Sequence, residues 1–263
     1  MLTINICTKG ERIRQVENLV LPEPRKDLKY IISWQPPFTN DCIPQGLIRP
    51  DINIIQQPDN GLSANRNNAL QHTTAPYAVI ADDDVRYNGE QIDNLIRLIS
   101  QYPKVDIFCL RIRLENGKLF KNYPTEPYQY ANQPKGAYVS SCELVVKMSD
   151  KTPRFDTNYG IGAQHMHCGE EEIFLIDADR KGLNIAYFPM DLCTMKEGKT
   201  SGDRFLSDPY IQHAKGAVLY RKHGFINAVL RVFKTAFNPI RRSSLRLFYE
   251  MLKGIYYGRK YTL

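Results

Sequence analysis

Nowhere in this 263-residue chain does an apolar run approach the roughly 18–20 residues of a membrane span, so no spanning helix is expected. The opening residues, MLTINICTKG, lack a basic stretch followed by an apolar core and a small-residue cleavage site, which argues against a secretory leader. Leu2, Ile4 and Ile6 alternate instead as an immediate first strand would. No two of the six cysteines (7, 42, 109, 142, 168 and 193) form a C-x-x-C pair, and several sit in strand-like runs. That usage suits reduced thiols in a cytosolic protein and not a disulfide framework. Tryptophan occurs once, at position 34, and there is no internal repeat or low-complexity block. What is present is an ordinary soluble composition, 43% apolar and 24% charged, long enough for one large α/β domain or two small ones.

The net charge of +7 is unevenly placed. Residues 214–263 hold eleven Lys or Arg and one acid, Glu250, a balance of +10, whereas residues 1–213 come to −3. The basic character belongs to a tail, and the main body gives no sign of nucleic-acid binding. The division expected is a main domain over 1–213 and a basic helical tail over 214–263.

Along the main body, strand-like runs alternate with helical patterns. After the first strand, Ile13, Val16 and Val20 have helical spacing; KYIISW (29–34) and INII (52–55) read as strands, and LSANRNNALQ (62–71) as a short helix. Tyr77 to Ala81 read as a buried strand, and Ile92, Leu95, Ile96 and Ile99 share one helix face. VDIFCLRIRL (105–114) is a further strand. From residue 122 the pattern becomes irregular and rich in Pro and Tyr, then gives an extended AYVSSCELVVKM, a helix over about 170–181 and a strand, NIAYFP. Short βαβ units of this kind predict an α/β fold with a mostly parallel sheet covered by helices. In such sheets ligands gather at the carboxyl ends of strands.

At one such end stand three acids, Asp82, Asp83 and Asp84. Adjacent carboxylates raise one another's pKa unless something positive neutralises them. Either they splay into water as a turn, or they hold a hard divalent cation such as Mn²⁺ or Mg²⁺ that also grips phosphates. Upstream, NGLSANRNNAL (60–70) places a turn, a possible Ser63 or Asn65 cap and Arg66 at a helix start, the makings of a diphosphate site. Downstream, Glu170, Glu171 and Glu172 open a helix. They complement the helix dipole, and one of them could also serve as a general base.

These stretches together carry a resemblance. The run N-G-x-S-x-x-R-N (60–67), an apolar strand ending in D-D-D, and a later G-E-E before a helix and GLNIAYFP resemble family 2 glycosyltransferases of the GT-A fold. FDTNYGIGAQHMHCGEEEIFL is also similar to the pattern preceding the catalytic acid in β-1,4-galactosyltransferase-like members. The resemblance covers about residues 1–215. It implies an inverting transfer of a hexose from a nucleotide sugar, UDP-linked, to a saccharide or lipid-linked oligosaccharide in surface polysaccharide synthesis. By the same resemblance Thr8 borders the nucleotide, Arg66 contacts the diphosphate, and Asp82 faces the ribose or the metal with Asp83 beside it at the donor. Asp84 ligates Mn²⁺ or Mg²⁺, and His213 stands where relatives place a histidine ligand. Glu171 matches the catalytic base, and Glu170 the residue that binds acceptor hydroxyls.

The chain departs from the family after the second strand, where SWQPPFTN replaces the usual acid-bearing stretch; Asp41 or Asp59 could read the base instead. Glu at 171 is one methylene longer than the usual Asp. His165, His167 and Cys168 do not make a closed zinc set and are better placed lining an acceptor pocket. Trp34 reads as core, with nucleotide stacking the alternative. KEGKTSGDRFLSD (196–208) is either a mobile lid or a plain linker. In the tail, Ile226, Val229, Leu230, Phe233 and Phe237 form one stripe, ended by Asn238-Pro239, and Leu245, Phe248, Leu252 and Ile255 a second. Basic amphipathic helices suit an anionic membrane surface, which would place a cytoplasmic protein on the inner face of the membrane; the alternative is packing on the main domain. Two other functions remain open at this stage: a sugar nucleotidylyltransferase, which TKGERIRQ does not suit, and a non-catalytic nucleotide-sugar or glycan-binding module.

Overall fold

The computed structural model describes residues 1–39, 43–196, 201–238 and 244–261. Asp41, Cys42, part of the 196–208 loop and Pro239 lie outside them. The described chain forms two compact units, one of residues 1–60, 64–154 and 177–198, the other of 61–63, 155–176 and 199–263.

The first unit is built on one sheet. Strand β1 (Leu2–Lys9) lies between β2 (Leu28–Gln35) and β4 (Tyr77–Asp82), parallel to both, and β3 (Ile52–Gln56) adds in parallel to β2. A parallel strand flanked on both sides is covered on both faces, and β1 is buried from Leu2 to Thr8. Its one amide, Asn5, is satisfied by exchanging hydrogen bonds with the Thr73 hydroxyl, just past helix α2 (Leu62–His72). Beyond β4 the sheet turns mixed. β8 (Leu144–Lys147) runs antiparallel to β4 and to β6 (Ile107–Leu114), and β9 (Ile185–Met195) runs parallel to β6. The short β5 (Val85–Arg86) and β7 (Tyr128–Gln129) pair antiparallel with β9.

The parallel half is where βαβ periodicity is regular, whereas β7 and β8 lie within and after the irregular stretch that starts at residue 122. The stretch after β1 forms a single 3₁₀ turn, Gly10–Arg12, and a four-residue α1 (Ile13–Val16), with Ile13, Val16 and Val20 all inside. Helix α3 (Gly89–Gln101) starts on an Asn88–Gln91 capping box and buries Ile92 and Leu95. Trp34 is core: 1% exposed, its indole donates to the Gly10 carbonyl (2.9 Å) and it packs edge-on against Phe38. The five described cysteines are all free thiols.

The second unit joins the start of α4 (Glu170–Arg180), as far as Ile176, to two long helices, α5 (Pro209–Ala236) and α6 (Leu245–Tyr261). Asp208 caps α5 by accepting from the Tyr210 N–H, and Pro209 occupies its first turn. A kink at Gly224 (φ 74°) divides α5. The helix thus starts well before residue 214 and joins the expected tail to the segment around 155–176. Ala228, Val232 and Ala236 of α5 pack with Leu247, Met251 and Ile255 of α6. The inward row of α6 is therefore rotated from the stripe read in the sequence; Ile255 belongs to it, whereas Leu245 is 76% exposed. Among the described residues no helix is long and apolar enough to cross a membrane.

Candidate functional site

Strand register brings the ends of β1 and β4 side by side, Cys7 opposite Asp82, and the acidic turn follows. There the three carboxylates take three different environments. Asp83 turns inward, 4% exposed, and accepts from the Thr8 hydroxyl (2.7 Å) and the Arg12 guanidinium. Burial pushes its pKa up to about 6, with Thr8 and Arg12 pulling the other way. The Asp82 side chain is about one-third exposed, and its Oδ1 accepts from Arg66 Nη2 at 2.9 Å. Asp84 stands at the surface of the turn; the protein around its carboxyl and then the Asp82 charge raise its pKa. Like-charge crowding is thus relieved by direction: one acid is anchored inside, one braced by a cation, one left toward solvent.

The brace is itself braced. Arg66 is 1% exposed and its Nη2 also donates to the Ser141 hydroxyl at 2.6 Å. Ser141 begins a 3₁₀ turn, Ser141–Glu143, fixed by a capping box between Ser140 and Glu143. Buried Glu143 accepts from the Ser140 N–H (2.9 Å), the Lys121 ammonium (2.9 Å) and the Tyr123 hydroxyl (2.6 Å). Its burial raises its pKa, offset in part by Lys121 and Tyr123. Arg66, expected at a diphosphate, is buried and donates to both Asp82 and Ser141. Thr8, expected beside a nucleotide, is 3% exposed; its hydroxyl holds Asp83 and its carbonyl accepts from Asn65 Nδ2 (3.2 Å). Asn65 Oδ1 is buried and finds no hydrogen-bond partner among the described residues. Neither Asn65 nor Ser63 is the expected helix cap, because α2 already begins at Leu62; Ser63 donates instead to the Tyr159 carbonyl at 2.6 Å. Asp59 is exposed, and its carbonyl accepts from Gln35.

In the second unit, Gly169 (φ 85°) starts α4, its carbonyl accepting from the Ile173 N–H. The three acids that follow differ in setting. Glu170 is 6% exposed and lies against Gly160, where a Cβ would come within 3.2 Å of its carboxyl carbon and 3.1 Å of the Ser63 hydroxyl. With φ at 99° besides, only glycine suits position 160. Glu171 and Glu172 are half-buried, and Glu172 pairs with Lys215 at 3.4 Å. A half-exposed carboxylate at the helix start can accept a proton from an approaching hydroxyl.

His213 lies on α5 with both ring nitrogens engaged: Nε2 meets Glu250 Oε2 at 2.7 Å and Nδ1 lies 3.2 Å from the His165 carbonyl. Burial opposes ionisation of Glu250, but His213 and Lys253 more than offset it and hold the carboxyl below its ordinary value. In this arrangement the imidazole of His213, expected as a metal ligand, ties α5 to α6 through Glu250. His165 and His167 stack on Tyr257 (4.2 Å) and Tyr210 (4.1 Å). Among the described residues no group of three or more His, Cys, Asp or Glu side chains could hold a metal. A hard divalent cation needs only one or two carboxylates when substrate phosphates complete its shell. Asp82, about one-third exposed, and exposed Asp84 are carboxylates of the kind that would suit a cation shared with a phosphate and not an all-protein cage.

Arg12, Ser141 and Glu143 were not singled out by the sequence reading. The S-x-x-E spacing of Ser140 and Glu143 is a capping-box signature that could have drawn attention to that turn. Nothing local marks Arg12 or Ser141, whose partners lie 71 and 75 residues away.

Residues 42–169 match the family model described as glycosyl transferase family 2. No curated protein sequence matches the chain. Among solved structures, S. aureus TarS residues 1–349 in complex with UDP-GlcNAc superposes with a TM-score of 0.63 at 11% identity, covering 100% of this chain and 82% of that one. TarS 1–349 alone gives 0.62 at 12% identity, covering 97% and 81%. The shared architecture is the GT-A fold.

Proposed function

We propose that this chain, whose residues 42–169 match the family model of glycosyl transferase family 2, is a glycosyltransferase that moves a hexose, with inversion, from a uridine diphosphate sugar to a saccharide hydroxyl. The observation that carries the reading is the acidic turn at the end of β4, where Arg66 braces Asp82 and Asp83 is drawn inward, leaving Asp82 and Asp84 as a pair of oxygen donors. The UDP-GlcNAc complex of TarS supports a uridine diphosphate sugar as donor.

In this reading Asp82 and Asp84 would hold Mn²⁺ or Mg²⁺ against the donor diphosphate. Such an ion neutralises the charge that develops on a departing nucleoside diphosphate. Arg66 acts through Asp82 by fixing its carboxylate, and Asp83, with Thr8 and Arg12, fixes the turn. Glu171 takes the proton of the acceptor hydroxyl as it attacks opposite the leaving group, and Glu170 orients the acceptor. No covalent nucleophile is needed. The acceptor is a saccharide or lipid-linked saccharide of surface polysaccharide assembly, met by a cytoplasmic protein at the inner membrane face through its basic helices.

Thermal-shift titration with UDP tests the donor corner. Asp84→Ala is expected to abolish the Mn²⁺-dependent part of the UDP-induced rise in Tm while leaving the ligand-free Tm within about 2 °C, as surface substitutions usually do. A full Mn²⁺-dependent shift in that variant would move the cation elsewhere. Ser141→Ala should cost about 1 kcal/mol of stability and weaken UDP–Mn²⁺ binding several-fold by loosening Arg66, with Ser141→Thr restoring both. Unchanged binding by Ser141→Ala in calorimetry would remove Arg66 from the donor corner.

A further inference from the structure

Helix α5 carries two apolar faces beyond the Gly224 kink, and α6 covers only one. The small residues Ala228, Val232 and Ala236 are buried against α6. The larger set stays in solvent: Phe225 is 54% exposed, Ile226 74%, Leu230 63% and Phe233 55%, with Leu245 of α6 at 76%. On a helix, 226, 230 and 233 fall on one side, so this is a continuous stripe and not scattered apolar residues. Around it stand exposed Lys222, Arg231, Lys234 and Arg246. From Phe225 to the chain end the only acid is Glu250, and its carboxylate is held by His213 and Lys253. An apolar stripe of this size bordered by bases without acids matches the two layers of an anionic bilayer surface, acyl chains beneath and phosphate headgroups around.

We propose that the Ile226–Leu230–Phe233 stripe of α5, together with Leu245 of α6, is the face that inserts into an anionic lipid surface. The proposal rests on the membrane contact suggested above and assigns it a face, one that turns away from the Ala228–Val232–Ala236 row and borders α6 at Phe233, whose ring meets Phe248 edge-on. Helix α5 lies along the surface with the stripe sunk to the acyl boundary. Lys222, Arg231, Lys234 and Arg246 meet lipid phosphates, an attraction that added salt screens.

The test is co-sedimentation of the full chain with vesicles of phosphatidylglycerol mixed into phosphatidylcholine, and with vesicles of phosphatidylcholine alone. Binding is expected to be at least about tenfold stronger to the anionic vesicles and to fall with added salt. The double variant Ile226→Glu, Leu230→Glu should lose at least about tenfold of that binding with its thermal melt unchanged, since these two side chains are 74% and 63% exposed. Three results would overturn the proposal: no anionic preference, equal binding by the double variant, or a dimer of the wild-type chain that the variant dissolves, which would make a second copy the occupant. UDP binding measured on the same samples separates the two readings. If vesicle binding fails while UDP binding persists, only the membrane face is lost; if UDP binding fails while vesicle binding persists, only the donor corner is.

Discussion

Glu171→Gln is expected to lower transfer by about a thousandfold while leaving UDP–Mn²⁺ binding and Tm unchanged. Glutamine keeps the size and the hydrogen-bonding reach of the side chain but cannot take a proton, and general-base removal costs roughly 10²–10⁴-fold in rate. The loss should appear in kcat with little change in the KM for the donor, because the proton moves only as the acceptor attacks. The neighbours differ in setting from Glu171. Glu170 is almost fully buried against Gly160, and Glu172 is paired with Lys215. Transfer preserved in Glu171→Gln, measured with purified chain and a labelled UDP-sugar, would pass the base role to one of those two. Transfer and UDP binding lost together would mean that Glu171 supports the fold and not the proton transfer.

Gly254→Val should unfold the second unit at much lower temperature. A Cβ at 254 would lie 2.0 Å from the His213 carbonyl oxygen and 2.7 Å from its carbon, so the obstacle is backbone and cannot rotate away. Gly216 faces α6 in the same manner, its Cβ position 2.0 Å from the Met251 carbonyl oxygen. The two helices therefore touch main chain to main chain. Any side chain at 254 must push α6 outward, opening the packing of Met251 and Ile255 and stretching the His213–Glu250 contact. Overpacking by a side chain against rigid neighbours costs about 3 kcal/mol, which for a chain of this size is about 6–12 °C in Tm. Gly89→Ala, where an added Cβ meets nothing within 4 Å, is the control and should leave Tm near its starting value. An unchanged melt for Gly254→Val would contradict the close approach of α5 and α6.

Much of this molecule is legible along the chain because its elements are local. The apolar run 77–81 ends where the acids begin, and β4 ends at Asp82. The helices over 62–72, 89–101 and 170–180 lie where composition and periodicity place them. The antiparallel strands β5, β7 and β8 were less visible, being two to four residues long and stabilised by pairing and not by pattern. The tail shows the limit most plainly. Two apolar stripes can be counted from spacing, but whether a stripe packs or stays exposed depends on what lies across from it. Small residues between the large ones, Ala228, Val232 and Ala236, are what let α6 approach.

The order of strands and helices, the three acids at a strand end, the three acids at a helix start and the basic tail were determined by the sequence alone, since each depends on residues within a few positions of one another. The fold decided what each charged group is for. Asp83 turns inward because Thr8, seventy-five residues earlier, waits there with a hydroxyl. Arg66 became a support because Ser141 and Asp82 enclose it, and His213 a tie because Glu250 reaches it from another helix. Hydrogen bonds and ion pairs act over about 3 Å of space irrespective of distance along the chain, so only the tertiary arrangement could assign those roles.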